Sequence, residues 1–127
     1  MVRLLMVEDH AAFRDALAVM LDRPPDLKVA GQCGSLAECR SLGRFPDIDV
    51  VLLDLLLLNG DGTELIGVLQ GANPRVKVLI LTASVEAGLL ERMAEAGADR
   101  VLDKTSVLEE IAGEVRRLAS GGNDNES

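Results

Sequence analysis

The stretch Val50-Val51-Leu52-Leu53-Asp54 lies near the middle of the 127-residue chain, with four aliphatic residues followed by one acidic residue. A continuous aliphatic run of this length is typical of a central strand in a parallel sheet, which is covered on both faces. Open α/β sheets bind their ligands at the carboxyl ends of such strands. The stretch therefore predicts an α/β domain with a polar site beside Asp54.

Short apolar runs alternate with helical patterns on both sides of this strand. The patterns predict strands over 3–7, 28–32, 49–53, 76–81 and 100–102, and helices over 11–22, 35–44, 63–69, 86–96 and after 105. Ser35–Glu38 and Ser106–Glu109 both match the capping box that opens a helix. Alternation of this kind implies a parallel sheet with helices on both faces. We predict a flavodoxin-like doubly wound (βα)5 domain with strand order 2-1-3-4-5.

Composition and charge argue against several classes of function. The chain has 13 basic and 21 acidic side chains and a net charge of −8, which argues against direct binding of nucleic acid. It has no apolar run of the roughly 18 residues that a membrane span requires, so we expect a cytoplasmic protein without a membrane contact. We expect Cys33 and Cys39 to be small buried thiols in a reducing compartment, with neither a disulfide nor a metal site.

Polar residues follow four of the five predicted strands. Glu8 and Asp9 end strand 1, Asp54 ends strand 3, Thr82 ends strand 4 and Lys104 follows strand 5. Strand 2 ends in the uncharged Gln32-Cys33-Gly34, and the predicted strand order places it at the edge of the sheet. The strand without site chemistry is thus one that the predicted order places at the outside of the sheet, which favours that order.

The carboxylates at these strand ends indicate a metal-dependent reaction. Glu8, Asp9 and Asp54 would repel one another if they converged without a cation. Mg²⁺ relieves that repulsion, since it prefers a few carboxylates together with carbonyl, water and phosphate oxygens. With Lys104 as a second positive charge and Thr82 as a hydrogen-bond donor, one aspartate could attack a phosphoryl group.

These motifs resemble the response-regulator receiver family over about residues 1–119. The similarity is greatest to the receivers of NarL/LuxR-type transcription factors, which carry a separate helix-turn-helix domain. The motifs that carry the resemblance are Glu8-Asp9-His10, Val50–Leu55, Asp61-Gly62, Leu81-Thr82-Ala83-Ser84, Gly97-Ala98-Asp99 and Lys104-Thr105-Ser106.

The resemblance implies a phosphorylation site and a metal site. Asp54 would accept a phosphoryl group from a sensor histidine kinase. Asp9 and Asp54 would bind Mg²⁺, or Mn²⁺ in its place, directly. Glu8 would bind it through water, and the backbone carbonyl of Leu56 would supply a further ligand.

The resemblance also implies how the phosphoryl group is held and released. The expected phosphoryl-binding residues are Thr82, Ala83 and Lys104. Thr82 would be the switch hydroxyl. It would act with Val101, which stands where many members have an aromatic residue, so an aromatic rotamer switch is not available. Leu56 and Ser84 would tune dephosphorylation, with Leu56 shielding the phosphoryl group from water.

Several alternatives remain open at this stage. The glycine-rich segment 120–127 is either a flexible tail or the start of a linker to an output domain that this chain lacks. The output could be that domain, a separate protein bound by a stand-alone receiver, or a homodimer formed on phosphorylation. Leu55–Leu58 could pack beneath helix 3 or form an exposed apolar patch. We expect a signalling domain and not a Mg²⁺-dependent phosphatase, because haloacid-dehalogenase-like enzymes have a second Asp at the position of Leu56.

Overall fold

The computed structural model describes residues 1–42, 47–54, 62–82 and 87–121. Strands and helices alternate along the whole of this described part. The elements are β1 (Val2–Val7), α1 (Ala11–Leu21), β2 (Leu27–Cys33), α2 (Leu36–Leu42), β3 (Val50–Asp54), α3 (Gly62–Ala72), β4 (Lys77–Thr82), α4 (Ala87–Ala96), β5 (Arg100–Asp103) and α5 (Leu108–Ala119).

The five strands form one sheet in the order β2-β1-β3-β4-β5. Every neighbouring pair of strands is parallel. The fold class and the strand order predicted from the sequence are therefore confirmed. Because all strands run the same way, their carboxyl ends meet at one edge of the sheet, and the central strand β3 lies between β1 and β4.

Successive side chains of each strand point to opposite faces of the sheet, where they pack into two separate hydrophobic cores. On one face, strand residues such as Val51 and Leu53 pack with Cys39 of α2, with α3 and with α4. On the other face, Val50 and Leu52 pack with α1 and α5. The helix residues of this second core are Leu17, Ala18, Leu21, Ile111, Ala112, Val115 and Leu118. Both faces of the sheet are thus covered, as the aliphatic run of β3 predicts.

The observed element bounds differ from the prediction chiefly in α3. This helix continues to Ala72, three residues beyond its predicted end, because a single glycine at position 71 does not break it. Asn73 ends the segment. Its backbone N–H donates to the Leu69 carbonyl at 2.9 Å, and its side-chain amide donates to the Ile48 carbonyl at 2.9 Å.

The Ser35 half of the first predicted capping box is present, while the Glu38 carboxylate binds the N–H of Gly34, one residue before the N-cap. The Ser35 hydroxyl accepts a hydrogen bond from the Glu38 N–H at 3.1 Å, and the Glu38 carboxylate accepts from the Gly34 N–H at 2.9 Å. The prediction of a second capping box, at Ser106–Glu109, is wrong. Helix α5 begins at Leu108 with Val107 as its N-cap, whose side chain makes no cap hydrogen bond. Ser106 lies in the preceding turn, where its N–H donates to the Asp103 carbonyl.

The expectation for the two cysteines is confirmed for their burial and is wrong for the absence of a disulfide. Cys33 and Cys39 are buried, as expected, but they form a disulfide with a Cα–Cα distance of 5.6 Å. That distance lies in the usual range for a bridged pair. The sequence did not indicate the bridge because it depends on how the first turns of α2 fold back over the end of β2.

Across the described ranges, no helix combines the length and the apolar content that crossing a lipid bilayer requires.

Candidate functional site

The strand register brings the predicted site residues to one edge of the sheet. Val7 pairs with Leu53, so the residues that follow them, Glu8 and Asp54, lie side by side at the carboxyl ends of β1 and β3. Asp54 pairs in turn with Leu81 of β4. Thr82 pairs with Asp103 of β5, directly before Lys104. Glu8, Asp54, Thr82 and Lys104 therefore share one edge, as the positions after four strands predict.

Among the charged side chains that the structure describes at this edge, Glu8 is the most completely buried, with 3% of its surface exposed. Its carboxylate accepts a hydrogen bond from the His10 N–H at 3.1 Å. The second partner is the ammonium group of Lys104, which lies 3.1 Å from Oε2 and 3.2 Å from Oε1. A buried carboxylate is stable in its charged form when it is paired in this way.

The side chain and the backbone of Lys104 both have partners in neighbouring elements. Its ammonium group forms the ion pair with Glu8 and also lies 4.7 Å from the centre of the Phe13 ring, which is a cation–π contact. Its backbone N–H donates to the carbonyl of Thr82 at 2.8 Å. The helical pattern predicted over 11–22 did not indicate that Phe13 contacts a site residue.

The turn around Lys104 is shaped by its two neighbours. The Asp103 carboxylate accepts from the Thr105 N–H at 2.8 Å and from the Thr105 hydroxyl at 2.6 Å. The hydroxyl bond, followed by the backbone bond, lowers the pKa of Asp103 below its usual value. An aspartate two residues before a threonine is a known turn pattern, so the sequence did hold a signal for this residue.

The backbone of Glu8 is also held at both ends. Its N–H donates to the carbonyl of Cys33 at 3.0 Å, and its carbonyl accepts from Arg14 Nη1 at 3.0 Å. His10, which begins α1, accepts the Phe13 N–H on its Nδ1 atom at 3.2 Å. The role of Arg14 could not be predicted from the sequence, because the contact depends on how α1 lies over the end of β1.

The structure places the remaining predicted residues as follows. Asp9 is exposed beside Glu8, and Thr82 is fully buried at the end of β4. Val101 is half-buried against the core that contains α3 and α4. The backbone of Asp54 ends β3, and its carboxylate lies outside the part that the structure describes. The predictions for Leu55–Leu58, Asp61, Ala83, Ser84 and the segment 122–127 also fall outside the described residues.

The side chains at this edge fit a hard divalent cation. Glu8 and Asp9 offer carboxylate oxygens next to the end of β3, and oxygen ligands are those that Mg²⁺ prefers. Among the side chains that the structure describes, no three His, Cys, Asp or Glu residues come close enough together to hold a metal ion. The predicted set includes the Asp54 carboxylate, which lies outside the described side chains.

Comparison with protein families places most of the chain in one of them. Residues 4–116 match the model of the response regulator receiver domain. The response regulator protein VraR of Staphylococcus aureus is 31% identical over 120 residues, which cover 94% of this chain and 57% of VraR. The chain therefore spans less than two thirds of the length of the curated relatives it matches.

Solved structures show the same similarity. The signal receiver domain of NarL from Mycobacterium tuberculosis superimposes with a TM-score of 0.84 at 27% identity, covering 95% of this chain and 98% of that one. A response regulator from Burkholderia pseudomallei, solved with a phosphorylated aspartic acid, a calcium ion and citrate, gives a TM-score of 0.79 at 26% identity. That match covers 94% of this chain and 69% of the other.

Proposed function

This chain belongs to the response-regulator receiver domain family, and from that premise we propose that it accepts a phosphoryl group from a histidine kinase onto Asp54 in a Mg²⁺-dependent reaction. The observation that carries the proposal is the shared sheet edge. It sets Glu8 beside the backbone of Asp54 and brings the ammonium group of Lys104 to the same place. The phosphorylated aspartic acid of the Burkholderia pseudomallei protein supports the same chemistry.

The reaction is a transfer between an acyl or histidyl phosphate and a carboxylate. A carboxylate oxygen of Asp54 attacks phosphorus, the bond from phosphorus to the donor breaks, and the donor leaves with the electron pair of that bond. The product is an aspartyl phosphate. Because the chain contributes little covalent chemistry beyond the nucleophile, its role is to position the reactants and to neutralise their charge.

Mg²⁺, when bound, would neutralise the carboxylates and the phosphoryl oxygens at this edge. Glu8 and Asp9, with Asp54 and the Leu56 carbonyl, are the residues that would hold it. Lys104 offers a second positive charge that the Phe13 ring and the Asp103–Thr105 turn hold in place. Its ammonium group is a positive charge with N–H donors, the kind of group that binds phosphoryl oxygens.

The remaining predicted residues would bind the phosphoryl group, respond to it as a switch, or control its removal. Thr82 and Ala83, at the end of β4, are proposed to contact it together with Lys104. Thr82 is the proposed switch hydroxyl, and it would act with Val101 of β5, which pairs with Ile80, two residues before Thr82. Leu56 and Ser84 are proposed to control how fast water removes the phosphoryl group.

The wider function is also proposed. We infer a signalling domain that changes an output surface, and not an enzyme that turns over a small substrate. The similarity to VraR and to NarL supports control of transcription through a DNA-binding domain outside this chain. A cytoplasmic location and a homodimer formed on phosphorylation belong to the same proposal.

Intact mass measured after incubation with acetyl phosphate and Mg²⁺ tests the proposal. We expect the wild type to gain one phosphoryl group, the Asp54→Asn variant to gain none, and EDTA to abolish the gain. Asp47→Asn is the matched control, since that exposed residue precedes the amino end of β3, at the opposite edge of the sheet, and its change should leave the gain as in the wild type. A mass gain that persists in Asp54→Asn would contradict the proposal.

A further inference from the structure

The disulfide between Cys33 and Cys39 is connected by one backbone hydrogen bond to Glu8, a residue of the predicted metal site. Cys33 is the last residue of β2, and its carbonyl accepts the N–H of Glu8 at 3.0 Å. Both cysteines are buried, at 1% and 0% exposure. The bridge therefore connects the backbone that supports Glu8 to helix α2.

The segment between the two cysteines is a closed and internally bonded turn. The Cys39 N–H donates to the Ser35 carbonyl at 3.1 Å, and the Ser35 hydroxyl accepts from the Glu38 N–H at 3.1 Å. The Glu38 carboxylate accepts from the Gly34 N–H at 2.9 Å. With these bonds and the disulfide in place, the position of Cys33 depends on the position of α2.

The same turn also touches the second support of Glu8. A Cβ atom at Gly34 would lie 2.7 Å from Arg14 Nη1, which shows how closely the turn approaches this side chain. The same Nη1 atom donates to the Glu8 carbonyl at 3.0 Å. Both hydrogen bonds that fix the Glu8 backbone thus involve the Cys33–Gly34 end of the turn or a group in contact with it.

From this arrangement we infer that Cys33 and Cys39 form a reversible thiol–disulfide redox site whose oxidised state fixes the backbone of Glu8. Intramolecular disulfides in reducing compartments are often redox-sensing, whereas structural ones belong to oxidising compartments. Two thiols at these positions would remain as small buried apolar groups, so reduction removes the tether without leaving a buried charge. The consequence for Mg²⁺ affinity rests on the function proposed above.

The reductant for this site is a dithiol. One of its thiolates attacks a sulfur of the bridge, the S–S bond breaks, and the released cysteine thiolate takes a proton. The second thiolate then attacks the mixed disulfide and releases the other cysteine as a thiol. Two electrons pass from the dithiol to the protein, and the dithiol leaves as its own disulfide. Since both sulfurs are buried beneath α2, this helix must open for the attack, which makes reduction slow.

Amide exchange of Glu8 tests the structural part of the inference. The protein is oxidised with glutathione disulfide or reduced with dithiothreitol, freed of reagent under argon, and its thiol count is measured by alkylation after denaturation. We expect no alkylated thiol in the oxidised form and two in the reduced form. The Glu8 N–H should exchange faster when reduced, because the strand end that accepts its hydrogen bond is no longer tied to α2 and opens locally more often. The Asp22 N–H, bonded to Ala18 in α1, should not change.

A double variant controls for effects of the reagents. Cys33→Ala/Cys39→Ala should show the faster Glu8 exchange under both treatments, because it lacks the bridge in each. The inference is overturned if the cysteines cannot be oxidised to the bridge. It is equally overturned if the Glu8 exchange rate is the same with the bridge and with two verified thiols.

Mg²⁺ titration separates this inference from the proposed function. Measured by the shift in thermal unfolding, the apparent affinity for Mg²⁺ should be at least about threefold lower in the reduced form. If neither form binds Mg²⁺ while Glu8 exchange still follows the redox state, the proposed function fails and the redox site stands. If both forms bind Mg²⁺ equally and exchange at Glu8 is unchanged, the redox site fails and the proposed function stands.

Discussion

At the scale of single residues, the ion pair between Glu8 and Lys104 compensates the charge of a buried carboxylate at the site. Glu8 is buried, and its carboxylate would be costly without a cation nearby. Lys104 supplies that cation from a position 96 residues further along the chain, at 3.1 Å. A metal ion bound by Glu8 would supply the same compensation. Lys104 and Mg²⁺ are therefore expected to compete for this carboxylate.

Replacement of Lys104 by Met tests this competition. Without Mg²⁺, we expect the variant to lose about 1–3 kcal/mol of unfolding free energy, because a buried carboxylate loses its charged partner. Added Mg²⁺ should stabilise the variant more than the wild type. Thermal unfolding across a Mg²⁺ titration measures both effects.

The control for this variant is Lys28→Met, which changes an exposed lysine on β2 away from the site edge. We expect it to change stability by less than about 0.5 kcal/mol and to leave the Mg²⁺ response as in the wild type. Equal Mg²⁺ responses of the Lys104→Met variant and the wild type would show that the two cations do not compete for Glu8.

Asp103 is the residue whose protonation should be visible in the pH dependence of stability. Its pKa is lowered in the folded protein by the hydroxyl and the N–H of Thr105. A lowered pKa means that the stabilisation is fully present above the unfolded value of about 3.9 and is lost as the pH falls through the folded value below it.

The expected result is a difference in acid sensitivity. Between about pH 5 and pH 3, the unfolding temperature of the wild type should fall more than that of an Asp103→Ala variant, which has no carboxylate to protonate. Because this carboxylate is exposed, solvent screening keeps the effect small. Parallel curves for the two proteins would rule out a role for the Thr105 contact in acid stability.

At the scale of elements, the end of α4 is fixed by a glycine in the left-handed region. Gly97 has φ = 109°, and a Cβ atom there would lie 2.6 Å from the side chain of Gln70. The Gln70 amide donates to the Gly97 carbonyl at 2.9 Å, which joins the end of α4 to α3. The end of this helix predicted at residue 96 is confirmed.

Alanine at two glycine positions should have opposite effects. Gly97→Ala should lower the unfolding free energy by about 1–3 kcal/mol, because alanine is strained at positive φ and meets Gln70. Gly113→Ala should raise it by about 0.5–1 kcal/mol, because that glycine lies inside α5 with open space around it. Denaturant unfolding measures both. Equal changes of the same sign would contradict this account of the α4 end.

The elements and their order could be predicted from the sequence because they depend on local patterns. The aliphatic run of β3 and the uncharged end of β2 indicated which strand is central and which lies at the edge, and the sheet has that order. The cap of α5 was predicted wrongly, since Ser106 has the right residue type but lies in the Asp103 turn. Local patterns do not show which of two competing bonds a side chain or N–H will make.

The contacts within the site could be predicted only in part. Polar residues after four strands were enough to place Glu8, Asp54, Thr82 and Lys104 at one edge. The direct Glu8–Lys104 pair, the cation–π contact of Phe13 and the cysteine bridge were not predicted. Each of these depends on distances of a few ångströms between separate elements, which composition and periodicity do not determine.

At the scale of the whole molecule, the site is assembled by the sheet and not by any one segment. Its residues come from the ends of β1, β3, β4 and from the turn after β5, and two independent cores hold these strands in register. The residues of this edge contact α1 through Phe13 and Arg14, and Glu8 is connected to α2 through Cys33 and its disulfide. The arrangement suits a domain that converts one modification into a change of surface.

The central claim is that Asp54 is the phosphoacceptor, and mapping the acyl phosphate tests it most directly. After reaction with acetyl phosphate and Mg²⁺, borohydride reduces an aspartyl phosphate to homoserine, and peptide mass spectrometry locates the converted residue. We predict conversion at Asp54 alone, dependent on Mg²⁺ and absent when EDTA is present. Conversion at Asp9 or at another carboxylate, with Asp54 unchanged, would contradict the account.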